Sequence, residues 1–286
     1  MKSAAYAFRV LVGPWGSLAI IGLEIANLLQ RGRPWRGEAL WTADWLAISL
    51  FLAGPLLSGL AAVDASRLTR KGTVPIASAM ARRHGAYRFA IVWTAGPASA
   101  VHVAAFGAAL IVGGTAAPPA GWGVIVLTFA VQVLAILAYV ALGSAIGRLA
   151  APLAAGIVAT VAALAGFYSL SFGQGFMLLD IGGATVSRLG LTLSAPYLLT
   201  QLGVLASVAS LLSIIPIRSY ERRFEVNWLG MGLVTGVIVL LVGSSILGPE
   251  ERTLVSGPIE PTVCHFVGPT MCFYPEHERV AQQTVD

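Results

Sequence analysis

Seven long apolar windows restrict the folds that this chain can adopt more than any other feature of its sequence. A helix needs about 20 mostly apolar residues to cross about 30 Å of hydrocarbon, and windows of this length are typical of transmembrane helices. The windows cover residues 10–30, 44–63, 89–113, 121–143, 149–170, 196–217 and 228–248. Pro14, Glu24, Asn27 and Gln30 interrupt the first window, so six spans remain an alternative to the preferred seven.

The scarcity of charge excludes the other broad classes of protein. Asp, Glu, Lys and Arg make up 11% of the residues, whereas a soluble domain usually carries about 25%. The chain is therefore not expected to be a soluble globular protein, a disordered chain or a disulfide-dense secreted module. We predict an all-α fold, a polytopic transmembrane helix bundle over residues 1–248, followed by a short extracytoplasmic tail over residues 249–286.

The positions of Lys and Arg predict the orientation of the bundle, because cytoplasmic loops carry an excess of basic residues. With the N-terminus inside, twelve basic residues lie on the cytoplasmic side and six on the other, although the basic loop at residues 31–36 opposes this orientation. Arg outnumbers Lys sixteen to two, which is typical of a GC-rich bacterial genome. We therefore expect a multi-pass protein of the bacterial plasma membrane, with its N-terminus cytoplasmic and its C-terminus extracytoplasmic.

The net charge of +5 does not indicate a nucleic-acid partner. A membrane protein with basic cytoplasmic loops faces an anionic lipid surface, which accounts for a positive excess. The sequence has no basic run interleaved with aromatic residues of the kind that binds nucleic acid. The lipid bilayer is thus the expected partner of most of the chain.

The longest polar connection on the predicted cytoplasmic side covers residues 64–88 and holds six of the eighteen basic residues. Apolar side chains recur there at helical spacing, Pro75 suits a first helical turn and Gly85 suits a helix end. This pattern predicts a short amphipathic helix beneath the membrane, which is either a docking helix for a cytoplasmic partner or a basic loop that happens to be helical. The residues expected to contact a partner are Arg70, Lys71, Pro75, Met80, Arg82, Arg83 and His84.

The segment of residues 171–195, on the opposite side, is too apolar for a solvated loop and too broken by glycine to span. Interfacial or re-entrant half-helices are the structures that fit such a segment in a membrane protein. The tail over residues 249–286 is too short to bury a core of its own. We expect it to pack on the outer loops or on another subunit.

Both cysteines of the chain lie in this tail, at Cys264 and Cys272, with a Gly-Pro turn signal between them. If the tail is extracytoplasmic, its compartment allows disulfides to persist, so a bridge that closes a small loop is the leading interpretation. A metal site that uses Cys264, His265, Cys272 and His277 is an alternative, but its spacing matches no common zinc pattern. Free thiols are the remaining alternative.

The sequence contains no motif for catalysis on this chain. It lacks the phosphate-binding loop G-x-x-x-x-G-K-[ST], the zinc motif H-E-x-x-H and the nucleophile motif G-x-S-x-G. We therefore expect a protein that is not an enzyme by itself and that binds no cofactor of its own.

Two ionisable residues, Glu24 and His102, fall inside predicted spans, where such groups often mark proton or ion pathways. For His102 a hydrogen bond that packs two helices is the preferred interpretation over a proton relay. Glu24 could pair with a neighbouring helix or with Arg31, or lie at the interface. No internal repeat supports the architecture of an ion-coupled carrier.

Small residues are spaced for close helix contact at Gly143 and Gly147. Glycines four positions apart allow two helix backbones to approach each other, although a sequence rich in Ala and Gly produces such pairs often by chance. Arg148 and Pro152 follow at once, which predicts a tight cytoplasmic turn between the fourth and fifth spans.

The arrangement resembles the membrane subunit of ABC-2 type exporters, the type V ABC transporter architecture. Three features in roughly residues 1–220 carry the resemblance: the second span, which ends in residues 56–64 and runs into the basic loop with Gly72; the tight turn over residues 141–148; and the apolar, glycine-broken outer loop before the sixth span. Two features depart from the family, namely the added seventh window and an N-terminus that enters the bilayer almost immediately.

The resemblance implies a half-transporter of six helices that pairs with a second membrane half, as a homodimer or heterodimer, and with two separate ATPase subunits. Residues 73–85 would then lie on an ATPase as the coupling helix, and ATP with Mg²⁺ would be bound by that partner chain. The expected function is therefore the membrane-spanning subunit of an ABC exporter. The alternatives are a membrane scaffold or anchor whose outer tail binds a partner, and an ion-coupled carrier that uses Glu24 and His102.

Overall fold

The structure is a computed structural model. It describes residues 7–30, 37–68, 85–113, 121–148, 151–172, 181–183, 191–214, 253–255, 263–266 and 270–273. Several sequence-based predictions lie outside these ranges, among them the docking residues at positions 70–84, the seventh window at 228–248 and most of the outer segment and the tail.

The described part of the chain is an all-α helical bundle, as the sequence predicts. Its helices are α1 (Gly16–Leu29), α2 (Ala39–Leu68), α3 (Gly85–Gly113), α4 (Trp122–Gly147), α5 (Pro152–Phe172) and α6 (Ala195–Ile214), with a 3-10 turn at Gly13–Trp15 leading into α1. Four short strands form two antiparallel pairs: β1 (Leu191–Leu193) with β2 (Thr253–Val255), and β3 (Val263–Phe266) with β4 (Thr270–Phe273).

Four of these helices are long and apolar enough to cross a membrane: α2, α4, residues Tyr87–Gly113 of α3 and residues Ala195–Ser213 of α6. They confirm the second, third, fourth and sixth windows. The first and fifth windows correspond to shorter apolar helices within the described residues, Gly13–Leu29 and Pro152–Gly166. The length and composition of these helices are those of a membrane-embedded protein.

Helix α2 is the centre of the bundle, because α1, α3, α4 and α5 all pack against it. Most of its residues are buried, and many of them are Ala, Gly or Ser. Inside a membrane the hydrophobic effect does not drive helices together, so association depends on close van der Waals packing and hydrogen bonds, which small residues permit.

The contact between α2 and α4 is close and runs parallel. A Cβ atom placed on Gly143 would overlap the carbonyl oxygen of Ser58, and one placed on Gly147 would overlap that of Ala62. One turn earlier, the ring of Tyr139 occupies the space beside Gly54. The three pairs have the same offset in sequence, so α2 and α4 share a direction, and the glycine pair at 143 and 147 lies in a real helix interface.

The other helices alternate in direction and give the bundle two ends. At one end the carboxylate of Asp64, near the end of α2, accepts hydrogen bonds from the backbone just before α1. At the other end Asn27, near the end of α1, bonds Trp45 near the start of α2. We call these the Asp64 end and the Asp44 end, since Asp44 lies beside Trp45.

Large apolar side chains cover the outside of the bundle. They follow helical spacing on single faces, namely Leu18, Ile21, Ile25 and Leu29 on α1, and Leu153, Ile157, Val161 and Leu164 on α5. Leu153 is 80% exposed and Ile111 on α3 is 83% exposed. Surfaces of this kind are stable against lipid and unfavourable against water, which agrees with a protein embedded in a membrane.

The outer segment contains a strand in its described part. Half-helices were expected across residues 171–195, but Leu191–Leu193 pairs with Thr253–Val255 from the tail. The antiparallel pairing gives the backbone groups of each short strand hydrogen-bond partners in the other strand. The tail therefore contacts the outer segment, which agrees with the expectation that so short a tail packs on the outer loops.

The α2–α4 interface predicts a specific cost for Gly143→Ala. The added methyl group must displace the backbone of α2 at Ser58, so we expect a loss of about 1–3 kcal/mol in the free energy of unfolding. Gly123→Ala in the same helix is the matched control, because no atom lies within 4 Å of a Cβ there, and it should be neutral or stabilising. The measurement is unfolding in mixed detergent micelles followed by tryptophan fluorescence. Equal effects of the two substitutions would contradict the interface.

Candidate functional site

Four buried polar side chains from four helices meet near the Asp44 end of the bundle. Glu24 comes from α1, Ser49 from α2, His102 from α3 and Gln132 from α4, and none is more than 4% exposed. Polar groups inside a membrane bundle are costly unless they bond one another, so a cluster of four is a candidate functional site. We call these residues the buried polar network.

Glu24 is the acceptor at one end of the network. Its Oε1 atom lies 2.6 Å from Nδ1 of His102 and 2.7 Å from the hydroxyl oxygen of Ser49. The Ser49 hydroxyl is also 2.7 Å from the carbonyl oxygen of Leu46, so its one hydrogen is divided between two acceptors. The other carboxyl oxygen, Oε2, is buried and has no hydrogen-bond partner among the described residues.

Gln132 is the donor at the other end. Its side-chain nitrogen donates to the carbonyl oxygen of Ala43 at 3.0 Å and to that of Ile181 at 3.2 Å. Its side-chain oxygen lies 2.8 Å from Nε2 of His102. The network therefore extends from α1 through α3 and α4 to Ile181, which belongs to the outer segment.

These contacts determine where the protons lie. Two carbonyl acceptors can bond only the NH₂ group of Gln132, so its oxygen must face His102, and Nε2 of His102 must carry a proton. The short contact between Nδ1 and Glu24 Oε1 then contains one proton, held by either atom. In both arrangements the Glu24–His102 pair is neutral overall, which lowers the cost of burying it.

Aromatic and amide groups enclose the network. The ring of Phe129 lies 5.6 Å from that of His102, and Phe106 stacks on Phe129 at 4.2 Å between centroids. Asn27 and Trp45 exchange two hydrogen bonds, at 2.9 and 3.0 Å, one helical turn from Glu24. These groups keep water from the pair and so strengthen its electrostatic interactions.

The outer segment is bound to the start of α2 next to the network. Gly183 donates its backbone N–H to the carbonyl oxygen of Asp44 at 2.7 Å. Gly182 and Gly183 have φ angles of 116° and 103°, a conformation that favours glycine. A Cβ on Gly182 would come 2.8 Å from Cβ of Ala47, so this segment covers Ala47 closely.

A second buried carboxylate, Asp64, organises the opposite end. Its oxygens accept the backbone N–H of Gly13 at 2.6 Å and that of Val12 at 2.9 and 3.0 Å. These amides precede α1 and have no partner within its helix, so a carboxylate from α2 takes the place of a local capping residue. Arg67, one turn later, lies 4.0 Å from Asp64 and is half exposed.

Arg148 joins three helices at the Asp64 end. Its guanidinium lies 4.8 Å from the ring centre of Tyr87 and bonds Ser144 at 3.3 Å and the carbonyl oxygen of Ser213 at 3.5 Å. Burial lowers the pKa of Arg148, because the charged form loses solvation, and Tyr87 acts in the opposite direction. An arginine nevertheless stays charged at neutral pH, so the ring face and the two oxygens stabilise a cation.

The structure brings together two residues that the sequence marked separately, Glu24 and His102. Of the partners proposed for Glu24, the neighbouring helix is the one observed. The docking residues, from Arg70 to His84, lie outside the described part of the chain.

Sequence reasoning missed Ser49 and Gln132. Gln132 is the amide in the middle of an otherwise apolar span, and that isolation was the available signal. Asp64 was read only as the end of a span, since nothing local to residue 64 indicates amides about fifty positions away.

Cys264 and Cys272 form a disulfide between paired positions of β3 and β4. The bridge confirms the leading interpretation of the two cysteines. The alternatives of a metal site and of free thiols are wrong, because an oxidised pair offers no thiolate ligand. Within the described ranges, no group of three or more His, Cys, Asp or Glu side chains is placed to hold a metal ion.

Comparison with protein-family models, with curated proteins and with solved structures found no match to this chain.

The buried polar network predicts that His102→Leu is strongly destabilising. The substitution leaves Glu24 and the oxygen of Gln132 buried with partners missing, and we expect a loss of about 3–5 kcal/mol in the free energy of unfolding. Glu24→Gln is the conservative control, because an amide can donate to Nδ1 of His102, and its cost should stay near 1 kcal/mol or less. Detergent-micelle unfolding measures both, and equal losses would contradict the network.

Proposed function

We propose that this chain is the membrane-spanning subunit of an ABC exporter. In this proposal it forms the translocation pathway with a second membrane half, and separate ATPase subunits supply the energy. ATP with Mg²⁺ is bound by those partners, and the chain is not catalytic by itself.

The observation that carries the proposal is the place of α2 in the bundle. This helix packs against α1, α3, α4 and α5, and its last residue, Leu68, is followed directly by the basic segment at residues 69–84. Helix α3 begins at Gly85, immediately after that segment. A partner that moves the segment would therefore act on the helix to which most of the bundle is attached.

Contacts at the Asp64 end support this mechanism. Asp64 ties the end of α2 to the start of α1, and Arg148 ties the start of α3 to the ends of α4 and α6. Buried charge-assisted hydrogen bonds resist separation more than neutral ones do. The end of the bundle that meets the basic segment is therefore suited to move as one body.

For localisation we propose the bacterial plasma membrane, with the Asp64 end cytoplasmic and the tail extracytoplasmic. The pairing of β1 with β2 supports the tail's location, because β1 directly precedes α6 at the Asp44 end. Helix α6 ends near Arg148, at the Asp64 end. Ile214 and Thr253 therefore lie at opposite ends of the bundle.

An ion-coupled carrier is the second candidate, and the buried contact between Glu24 and His102 favours it. Carriers commonly place such ionisable pairs in the middle of a helical bundle. Transport that survives both Glu24→Gln and His102→Ala in a reconstituted system would remove this candidate.

The exporter proposal predicts that the chain co-purifies with an ATPase encoded beside its gene. Replacing both Arg82 and Arg83 by Glu should neutralise the basic segment at residues 69–84, whose remaining Arg70 and Lys71 then balance the two new carboxylates. We expect this change to reduce the amount of bound ATPase at least about tenfold, through loss of electrostatic complementarity. The matched control replaces Arg31 and Arg33 by Glu, in the basic loop that the proposed orientation assigns to the other side of the membrane, and should leave the complex intact. Retained complex and undiminished ATPase activity in the first variant would count against the docking role.

The proposed orientation predicts that Cys264 and Cys272 react from outside intact cells. Both are exposed, so an impermeant reductant followed by an impermeant maleimide should add two labels. A thiol introduced as Arg67→Cys, at the half-exposed position of the Asp64 end, should react only after lysis in a background with both native cysteines replaced by Ser. The reverse pattern would place the N-terminus outside.

A further inference from the structure

We propose that the Asp64 end of the bundle has a binding surface for an anionic phospholipid. Exposed arginine side chains hold the phosphate of the headgroup, and neighbouring aromatic and apolar side chains contact the acyl chains. We call this the arginine–aromatic surface, and its members are Arg9, Arg67, Arg88, Phe8, Trp15, Phe89 and Trp93. The inference requires only that the helices are embedded in a membrane, so it does not depend on the function proposed above.

An apolar cluster brings three parts of the chain together at this end: the segment before α1, the end of α2 and the start of α3. Its buried members are Ala7, Leu11 and Ala90, and the side chains packed against them are Leu68, Phe89 and Trp93. Each of the three parts has one arginine within two positions of a cluster residue, and all three arginines are exposed: Arg9, Arg67 and Arg88. Three cations therefore surround one small apolar cluster.

The described residues offer these cations no exposed counter-charge. Their four acidic side chains are all buried, at Glu24, Glu38, Asp44 and Asp64. Only Asp64 lies at this end, where it accepts two backbone amides and is 4.0 Å from Arg67. One carboxylate that already binds two amides faces three guanidinium groups, so the surface has a positive potential that attracts an external anion.

Arg148, at the same end, differs from these arginines in having its partners inside the protein. It is 3% exposed, lies over the ring of Tyr87 and bonds the oxygens of Ser144 and Ser213. Arg9 and Arg88 are exposed and have no hydrogen-bond or ion-pair partner among the described residues. Their guanidinium groups are therefore available to a ligand, and guanidinium groups bind phosphate oxygens in a bidentate geometry.

Aromatic rings lie beside the arginines. Next to Arg9, Phe8 contacts Trp15 edge to face at 5.6 Å between ring centres, and the indole N–H of Trp15 donates to the carbonyl oxygen of Phe8 at 2.8 Å. Next to Arg88, the rings of Phe89 and Trp93 are 6.0 Å apart. Tryptophan is enriched where headgroups meet hydrocarbon, because its amphipathic ring is stable at that level. These rings therefore place the arginines at the depth of lipid headgroups.

Exposed apolar side chains continue from the arginines toward the middle of the bundle. Val92 follows Arg88 by one turn on the same face of α3, and Leu18 follows Trp15 by three positions; they are 62% and 57% exposed. A ligand that matches both parts has a negative group at one end and hydrocarbon at the other, as an anionic phospholipid has. Inorganic phosphate would use the arginines alone, and an acidic soluble protein would not reach side chains at membrane depth.

The experiment is native mass spectrometry of the full chain, first freed of lipid in detergent. The chain is titrated with phosphatidylglycerol and, separately, with phosphatidylcholine that has the same acyl chains. We expect one phosphatidylglycerol to bind at least about tenfold more tightly than phosphatidylcholine, because basic side chains attract anionic lipid. Arg9→Gln combined with Arg88→Gln should weaken phosphatidylglycerol about thirtyfold and leave phosphatidylcholine unchanged.

Two double variants serve as controls. Arg252→Gln with Arg279→Gln removes the same charge from the tail, and it should change the affinity for phosphatidylglycerol by less than about twofold, since distant charges are screened. Arg9→Lys with Arg88→Lys keeps both charges and should retain most of the affinity, which a purely structural role of the arginines would not predict. Equal losses in the Arg9 and Arg252 pairs would overturn the proposal.

The remaining measurements separate the lipid from other anions. Millimolar inorganic phosphate should not displace phosphatidylglycerol, and displacement would show that free phosphate is the ligand. An ATPase that no longer binds the Arg9 and Arg88 glutamine variant, while phosphatidylglycerol still binds it normally, would show a protein-docking surface instead. If that variant does not fold, salt is raised for the native chain from about 0.1 M to about 1 M, which shortens the screening length about threefold. A preference for phosphatidylglycerol that salt does not reduce overturns the proposal.

Discussion

A polar group inside a membrane must find its partner within the protein, and this constraint explains how the bundle is organised. Glu24, His102 and Gln132 form a chain of hydrogen bonds across three helices near one end. Asp64 satisfies amides that precede α1 near the other end. Each of these contacts joins two different elements, so the polar groups favour one arrangement of the helices over others.

Close apolar packing around α2 sets the distances between the helices that the polar groups join. Without a hydrophobic driving force between helices, α2 and α4 approach until Gly143 and Gly147 contact the backbone of the neighbouring helix. The parallel register that results brings Gln132 beside Ala43, so that its amide can reach both α2 and the outer segment. Apolar packing thus sets the distances, and the polar network joins the helices to the outer segment at Ile181.

Features that depend on composition or on near neighbours were predictable. Long apolar windows require helices in a bilayer, which is why four of the seven predicted windows coincide with helices that are long and apolar enough to span. Cys264 and Cys272 were predicted to pair because a Gly-Pro turn separates them and because the tail was expected in an extracytoplasmic, oxidising compartment. Single ionisable residues in apolar windows are conspicuous, so Glu24 and His102 were marked as well. The strand at Leu191–Leu193 was missed, since its partner is in the tail.

The sequence by itself indicated a helical membrane protein and the ionisable residues within its apolar windows, because hydrocarbon requires apolar side chains along the whole length of a span. Which of those ionisable residues contact one another was decided by the three-dimensional packing. The pairing of Glu24 with His102 depends on how α1 and α3 pack beside α2, and the proton on Nε2 depends on Gln132, thirty positions away in the chain. Periodicity within one helix carries no information about the rotation of its neighbour, so only the tertiary structure could decide these contacts.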